Sequence, residues 1–268
     1  MSNGVRQGSL LSPKLFTLYM DDLSHQLQSC SSGCFINDVC TNHFFYADDI
    51  CLLAPSASAM QGLLDVCLLY GTQHDIVFNP QKSMYLVFKR RCFKIDLPAV
   101  DLSLDRSVVP VVNEAKYLGV FLDSKLKDDC DIERQYSRLY ARCNTILRKF
   151  KHCDTPVKKQ LFTSFCTNFY CMPLWSDFNE GTFRKAKVAF NNVYISLFNY
   201  DRRSSASFMF ASNNVLNFEA LFRKCIFNLR SRLFSSENEI LRSIRTNIFV
   251  NSNKIFVRWQ ATLYTVPF

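Results

Sequence analysis

Two short apolar runs on either side of a pair of aspartates constrain this chain more than any other segment. The runs are residues 43–47 and 50–54, with Asp48 and Asp49 between them. Apolar runs separated by two turn-compatible residues predict a β-hairpin. We therefore expect an antiparallel hairpin that carries two adjacent carboxylates at its tip.

The acidic tip has two interpretations. Adjacent negative charges repel each other, so the pair is costly unless a cation binds to it. A hard cation such as Mg²⁺ suits carboxylate oxygens and retains open positions for a phosphate. The alternative is an ordinary turn, because Asp is common in turns. The pair by itself favours the ordinary turn.

The segment before residue 130 predicts a mixture of helices and strands. Apolar periodicity and Pro13 indicate a helix over residues 12–29 that Ser12 caps, and a second helix follows Ser56. The predicted strands lie near residues 34–37, 83–88, 108–112 and 116–122, and we expect the last two to pair with each other.

The pattern changes after residue 130, where apolar positions recur at helical spacing. Helices are predicted over residues 132–150, 156–171, 181–198, 215–233 and 237–247, and the boundary lies near residues 124–131. Residues 1–130 hold 11 Lys and Arg against 14 Asp and Glu, whereas residues 131–268 hold 21 against 9. The basic part suits a nucleic acid, and the alternative is a set of solvated helix faces.

The chain has twelve cysteines, several of them inside apolar stretches, and no secretory signal. We expect reduced thiols in an intracellular protein, nuclear or cytoplasmic and not secreted. The longest apolar runs are too short to span a membrane. Cys30, Cys34, Cys40 and His43 do not follow a paired zinc-ligand spacing, so we interpret that segment as a loop entering a strand.

Glycines mark a tight backbone path at the start of the chain. Gly4 and Gly8 are two of only 7 glycines, and both precede the first predicted helix. Arg6 and Gln7 stand beside them, where they could contact a phosphate, a sugar or a base. By itself, Gly8 is equally well explained as a loop hinge.

Together these segments resemble the reverse transcriptase family, most closely the polymerases of non-LTR retrotransposons. Four ordered segments carry the resemblance: residues 3–16 are similar to motif B, 45–53 to the Tyr-x-Asp-Asp motif C, 78–83 to motif D, and 117–120 with Asp123 to motif E. Residues 157–175 and 214–233 are similar to the thumb and the region that follows it, with less specific motifs.

The resemblance implies an α+β fold. Residues 1–127 would form a partial polymerase palm, an antiparallel sheet with helices. Residues 128–268 would form a basic, all-helical thumb and C-terminal extension.

The resemblance also implies RNA-directed DNA synthesis, in which nucleotides are transferred to a primer 3′ end with two Mg²⁺ ions. The implied partners are an RNA template, a DNA primer and deoxynucleoside triphosphates, with no membrane involved and no indication of oligomeric state.

The implied site residues fall into three groups. Asp48 and Asp49 would be the catalytic metal ligands; Arg6, Gln7, Gly8 and Lys82 would bind the nucleotide; Tyr117, Leu118 and Gly119 would hold the primer end. Lys82 is equally well explained as a solvated lysine at a strand edge. Tyr117, Leu118 and Gly119 are equally well explained as a buried strand with a glycine kink.

In this family, motif A supplies a further catalytic Asp and precedes motif B. We do not expect Asp21, Asp22 or Asp123 to replace it, so we expect a C-terminal portion of a polymerase that is inactive by itself. One alternative is a non-catalytic nucleic-acid-binding remnant of a retroelement, and another is a decayed reading frame.

Overall fold

The computed structural model of the chain describes residues 10–88, 100–247 and 252–264. Within these ranges the helices are α1 Ser12–Ser29, α2 Ala57–Gln73, α3 Asp129–Lys149, α4 Thr155–Phe165, α5 Glu180–Phe198, α6 Ala206–Ser212, α7 Phe218–Ser235, α8 Glu239–Thr246 and α9 Lys254–Tyr264. The strands are β1 Phe35–Ile36, β2 Val39–Cys40, β3 His43–Tyr46, β4 Asp49–Leu52, β5 Leu102–Leu104, β6 Ser107–Val109, β7 Glu114–Tyr117 and β8 Val120–Asp123.

The strands pair only with their neighbours in sequence. They form four two-stranded antiparallel hairpins, β1–β2, β3–β4, β5–β6 and β7–β8, in the part of the chain that is described. Helices and small antiparallel sheets are thus combined in one chain, as the sequence predicts. The assignment of these elements to a palm and a thumb stays a prediction.

The chain divides into two compact units. The first unit comprises Met1–Val112 and Glu237–Asn247, and the second comprises Asn113–Ser236 and Ile248–Phe268. The predicted domains, residues 1–127 and 128–268, differ from these units in the placement of the β7–β8 hairpin and of α8.

In the first unit, α1 packs against α2 through fully or nearly buried side chains. These are Met20, Leu23 and Leu27 from α1, and Leu63, Cys67 and Tyr70 from α2. The Tyr70 hydroxyl donates a 2.5 Å hydrogen bond to the Tyr19 carbonyl oxygen. The helix α2 begins where the Ser56 hydroxyl accepts a hydrogen bond from the Ala59 amide, which satisfies one free N–H of its first turn.

The helix α8 belongs to the first unit although about 200 residues of sequence separate it from the β1–β2 hairpin on which it packs. The Ser243 hydroxyl donates to the Ile36 carbonyl oxygen at 2.5 Å. The Asn37 side-chain amide donates to the Ser243 carbonyl oxygen at 3.1 Å. These bonds satisfy polar groups at the hairpin turn and at the end of the helix together.

The second unit is built on the packing of α3 against α5 around an aromatic core. The Phe162 ring is fully buried, with its centroid 5.2 Å from that of Phe190 and 5.0 Å from that of Tyr194. The pairs are tilted or edge-to-face, which are the favoured geometries for aromatic rings. This core fixes the helices that carry most of the chain's excess positive charge.

The prediction of one strand over residues 116–122, paired with residues 108–112, is wrong. Leu118 and Gly119 have φ angles of 45° and 84°, so the chain reverses between them, and β7 pairs with β8. Residues 107–109 pair with β5 instead. The apolar run conceals the turn because Leu118, a residue that rarely adopts positive φ, occupies its first position.

Two further predictions need correction. Residues 83–88 form no strand; only Tyr85 forms a bridge, to Val111. The helix predicted over residues 156–171 ends at Phe165, and a 3₁₀ turn, Met172–Leu174, follows. The helices α6 and α9 were not predicted from the sequence.

Candidate active site

The acidic tip lies on the β3–β4 hairpin, as predicted, with the turn displaced by one residue. Tyr46 pairs with Asp49, so the turn residues are Ala47 and Asp48 rather than the two aspartates. Ala47 has φ of 52°, which lets a two-residue turn close the hairpin. Asp49 is therefore the first residue of β4, and Asp48 lies in the turn itself.

Both carboxylates of the tip are exposed to solvent. Neither takes part in a hydrogen bond or an ion pair within the described part of the chain. Unpaired carboxylate oxygens are the ligands that Mg²⁺ prefers. The donor set therefore fits a hard divalent cation, and Asp48 and Asp49 are the residues that would hold it.

Polar contacts with α1 hold the first strand of the hairpin. The His43 ring is hydrogen-bonded through Nε2 to the Ser24 hydroxyl at 2.8 Å and through Nδ1 to the Asn42 side-chain oxygen at 2.7 Å. The buried Asn42 side chain donates to the Leu27 carbonyl oxygen at 2.6 Å. A Cβ on Gly33 would lie 2.7 Å from the Asn42 Cβ, so that position requires glycine.

Apolar contacts hold the rest of the hairpin. Phe45 on β3 and Ile50 and Leu52 on β4 pack against the buried cluster between α1 and α2. The hairpin therefore presents its acidic end to solvent, while its apolar side chains pack against the cluster between α1 and α2. A rigid support of this kind places two carboxylates reproducibly.

His43 and Cys34 are poorly suited to bind a metal in this structure. Both ring nitrogens of His43 are engaged in the hydrogen bonds described above. Burial raises the pKa of the Cys34 thiol, and the nearby Cys40 raises it further, so the thiol resists the deprotonation that a metal ligand requires.

Arg6, Gln7 and Gly8 lie outside the described residues. The helix α1 that follows them begins at Ser12, with Pro13 in its first turn. Ser12 is the first helical residue rather than the cap, which is Leu11 and makes no side-chain capping bond. The role of Arg6, Gln7 and Gly8 in nucleotide binding stays a prediction.

Lys82 is exposed in a turn that Asn79 organises. The Asn79 side-chain oxygen accepts hydrogen bonds from the Gln81 amide at 3.0 Å and from the Lys82 amide at 3.3 Å. The Lys82 side chain is therefore carried by a defined turn rather than by the edge of a strand. Asp21 and Asp22 are exposed on α1.

The turn of the β7–β8 hairpin carries Leu118 and Gly119 of the predicted primer-holding segment, with Tyr117 at the end of β7. Gly119 has φ of +84°, and a Cβ there would lie 3.1 Å from the Tyr170 ring. The positive φ favours glycine, and a side chain there would also require the Tyr170 ring to shift.

A buried network ties this turn to α3. Arg134 donates to the Gly119 carbonyl oxygen at 2.8 Å and also forms an ion pair with Asp131. The Asp131 side chain is only 2% exposed, and it accepts a 3.0 Å hydrogen bond from the Trp175 indole nitrogen. The guanidinium group additionally lies over the Phe121 ring of β8. The Arg134 side chain thus fixes the hairpin turn through the backbone carbonyl of Gly119.

Sequence reasoning missed this network because nothing in the local pattern pairs a helix arginine with a distant tryptophan. It also missed a group formed by Glu114, Asp123 and Cys130 at the open end of the same hairpin. The Cys130 thiol donates to Glu114 at 3.1 Å, and this hydrogen bond, with burial, raises its pKa to about 11. The thiol therefore acts as a neutral donor. The only signal in the sequence was the placement of Glu114 and Asp123 on either side of residues 117–120.

The family described as reverse transcriptase (RNA-dependent DNA polymerase) matches residues 1–122, a range that includes the β3–β4 hairpin and nearly all of β7–β8. Through these residues the chain is similar to the reverse transcriptase family. This match confirms the predicted resemblance to reverse transcriptases.

Similar proteins come from mobile elements of flies. The chain is 32% identical over 126 residues to the retrovirus-related Pol polyprotein of the type-2 retrotransposable element R2DM of Drosophila melanogaster, with 44% of this chain and 12% of that protein covered. It is 30% identical over 129 residues to the RNA-directed DNA polymerase of the mobile element jockey of Drosophila funebris, with 46% and 13% covered.

A third relative is the probable RNA-directed DNA polymerase of transposon BS of Drosophila melanogaster, 28% identical over 153 residues, with 53% of this chain and 16% of the relative covered. The match therefore spans less than a fifth of each of these three relatives. These relatives agree with the predicted kinship to non-LTR retrotransposons. Across the described residues, no helix combines the length and the apolar character that a membrane crossing needs.

We expect Arg134→Gln to destabilise the second unit and to loosen the β7–β8 turn. The substitution leaves the Asp131 carboxylate buried without its cation, which costs about 3–5 kcal/mol of unfolding free energy. The free energy is measured by urea denaturation, and hydrogen exchange of the amides of residues 117–120 reports on the turn. Arg138→Gln, at an exposed position one turn later on α3, is the matched control. Equal effects of the two substitutions would contradict the assigned role of Arg134.

We expect acidification to destabilise the first unit through His43. Burial lowers the pKa of the His43 imidazole below its ordinary value, so the unfolded chain binds the proton more readily than the folded one. The stabilisation is complete above a pH of about 6.5 and decreases as the pH falls below that value. An NMR titration of the ring protons should give a midpoint below the ordinary one, and His43→Gln should reduce the pH dependence of unfolding. His152→Gln, at an exposed position, should leave it unchanged. A normal midpoint for His43 would contradict this account.

Proposed function

We propose that this chain is part of an RNA-directed DNA polymerase that transfers nucleotides to the 3′ end of a primer. The observation that carries the proposal is the acidic tip: Asp48 and Asp49 are exposed and unpaired on an anchored hairpin, inside the segment that matches the reverse transcriptase family. RNA template, DNA primer and deoxynucleoside triphosphates are the proposed partners.

Within this proposal, Asp48 and Asp49 hold divalent cations at the end of the β3–β4 hairpin. Two bound Mg²⁺ ions would stabilise the charge on the attacking 3′ oxygen and on the leaving pyrophosphate oxygen. The chain contributes the placement of the ligands. Contacts of His43 and Asn42 with α1 hold the hairpin, and its apolar side chains pack against the cluster between α1 and α2.

The remaining site residues have supporting roles in the proposal. Lys82 approaches the triphosphate from its exposed turn, and Arg6, Gln7 and Gly8 line the nucleotide pocket. Tyr117, Leu118 and Gly119 hold the primer end, and Arg134 keeps their turn in place. Residues 1–127 then act as a partial palm and residues 128–268 as a thumb with a C-terminal extension.

We also propose that the 268-residue polypeptide does not synthesise DNA by itself. Two catalytic metal ions need more carboxylate ligands than two neighbouring residues of a hairpin supply. Among residues 10–88, 100–247 and 252–264, no third acidic, histidine or cysteine side chain completes a ligand group with Asp48 and Asp49. Binding of nucleic acid without synthesis is the second candidate function, and the basic composition of residues 131–268 favours it.

We expect Mn²⁺, used as a paramagnetic substitute for Mg²⁺, to bind at the acidic tip. Asp48→Asn removes a charged ligand and should weaken this binding by roughly 10-fold or more. The measurement is the broadening of backbone amide signals of residues 46–50 during a Mn²⁺ titration. Asp38 offers a matched control, because it is exposed in the two-residue turn of the β1–β2 hairpin but has no acidic neighbour in sequence. If Asp48→Asn and Asp38→Asn bind Mn²⁺ equally well, the proposed metal site is wrong.

We expect no primer extension by the purified 268-residue polypeptide with Mg²⁺, poly(A) RNA and an oligo(dT) primer. Templated incorporation that is lost in Asp48→Ala and retained in Asp38→Ala would overturn the proposed inactivity and support the polymerase assignment. Salt-sensitive binding of the same template and primer, with no incorporation, would favour the second candidate function.

A further inference from the structure

A groove of about 340 Å³ runs between α3 and α5 in the second unit. Its volume falls within the range of roughly 300–1,000 Å³ that is typical of ligand sites. Its walls are formed by Tyr136 and Tyr140 of α3 and by Arg184, Lys185 and Val188 of α5, above Ala189.

The groove has a rigid floor. The α3 and α5 helices pack closely through buried side chains, including Leu139 and Cys143 on α3 and Ala186 and Ala189 on α5. Tyr136 and Tyr140 are four residues apart, so their side chains lie on one face of α3. Tyr140 remains 39% exposed and Val188 48% exposed above this floor. The rings therefore present an accessible apolar surface on a fixed support.

The cations of the groove are available to a partner. Arg184 and Lys185 are both exposed, and neither forms an ion pair within the described part of the chain. The groove has no acidic lining residue. The groove therefore combines two cations and two tyrosines in its lining without an acidic residue among them.

A second cavity in the same unit shows the contrast. It measures about 140 Å³ and is lined by both acidic and basic side chains, among them Glu180, Glu219 and Arg258. Arg258 pairs with Glu180 at 3.2 Å, and Glu219 pairs with Lys187 at 2.6 Å. These charges compensate each other, so that cavity offers little to an anionic ligand, whereas the α3–α5 groove does.

We propose that the α3–α5 groove binds an unpaired stretch of RNA, with a base stacked on Tyr140 and adjacent phosphates on Arg184 and Lys185. Each nucleotide provides a flat π face and a negative charge, which match an exposed ring beside unpaired cations. An acidic peptide would supply the charge but not the repeated flat faces. The choice of RNA rather than DNA rests on the proposed function, in which RNA is the template.

The experiment uses the 268-residue protein and fluorescein-labelled single-stranded poly(A) RNA, without Mg²⁺, primer or triphosphates. Fluorescence anisotropy gives the affinity as a function of salt. The variants are Tyr140→Ala, Tyr140→Phe and Arg184→Gln. The controls are Phe227→Ala, which removes an exposed aromatic ring on α7, and Arg202→Gln, which removes an exposed cation outside the groove.

Tyr140→Ala should weaken binding by about 10-fold, since stacking on one aromatic ring is worth roughly 5- to 150-fold in affinity per base. Tyr140→Phe should retain the affinity because it retains the ring. Arg184→Gln should weaken binding and lower the salt slope by about one. Circular dichroism of Tyr140→Ala, compared with Tyr140→Phe, checks that the fold is retained.

Three results would overturn the proposal. The first is an equal affinity of Tyr140→Ala and Phe227→Ala. The second is competition by heparin as strong as that by unlabelled poly(A), which would indicate polyanion binding without stacking. The third is a preference for double-stranded RNA or for a DNA strand of the same sequence. Because the assay contains no metal ion, its failure is distinct from a failure of Mn²⁺ binding at Asp48, which alone would count against the polymerase function.

Discussion

Like charges at neighbouring positions repel each other, and the β3–β4 hairpin keeps two of them together at Asp48 and Asp49. The repulsion does not displace the two carboxylates, because the hairpin is anchored to α1 and α2. Asn42 and His43 bond to α1, while Phe45 and Ile50 pack into the cluster between α1 and α2. The polar contacts of Asn42 and His43 lie at the end of the two four-residue strands opposite the charged tip, and the apolar packing extends along the strands to Phe45 and Ile50. The fold can thus leave two carboxylates unneutralised and in place, and a cation-binding function depends on that combination.

The turn of the β7–β8 hairpin is also held in place from outside the hairpin, in this case by a buried ion pair. Its turn contains Leu118 and Gly119 at positive φ, a conformation that a leucine does not favour. Arg134 donates to the Gly119 carbonyl oxygen in the turn. Asp131 forms an ion pair with Arg134 and accepts a hydrogen bond from Trp175. A buried pair of this kind specifies geometry more clearly than it adds stability. The region that the proposal assigns to the primer end is therefore held by a polar network, whereas the acidic hairpin is held by apolar packing together with the bonds of Asn42 and His43 to α1.

Local sequence patterns predicted helices and strands well where a proline or an apolar run determines the backbone conformation. Pro13 and the apolar periodicity predicted α1, and two apolar runs predicted the hairpin around Asp48, although the turn is displaced by one residue to Ala47 and Asp48. The β7–β8 turn was missed because Leu118 continues an apolar run. The Arg134 network and the α3–α5 groove depend on contacts between residues far apart in sequence, which periodicity does not encode. The sequence revealed the acidic pair because its two residues are adjacent. It did not reveal the contacts with α1 and α2 that support the pair, because these join residues far apart in sequence.

The return of α8 to the first unit has a consequence for how the protein is made. This unit consists of residues before 113 and residues 237–247, so the whole intervening segment leaves the ribosome before α8 does. Until then, the Ile36 carbonyl at the end of β1 lacks the Ser243 hydroxyl that binds it in the final structure. The unit that contains the acidic tip is therefore completed late in synthesis, and a cut in the polypeptide between residues 112 and 113 would not separate the two units cleanly.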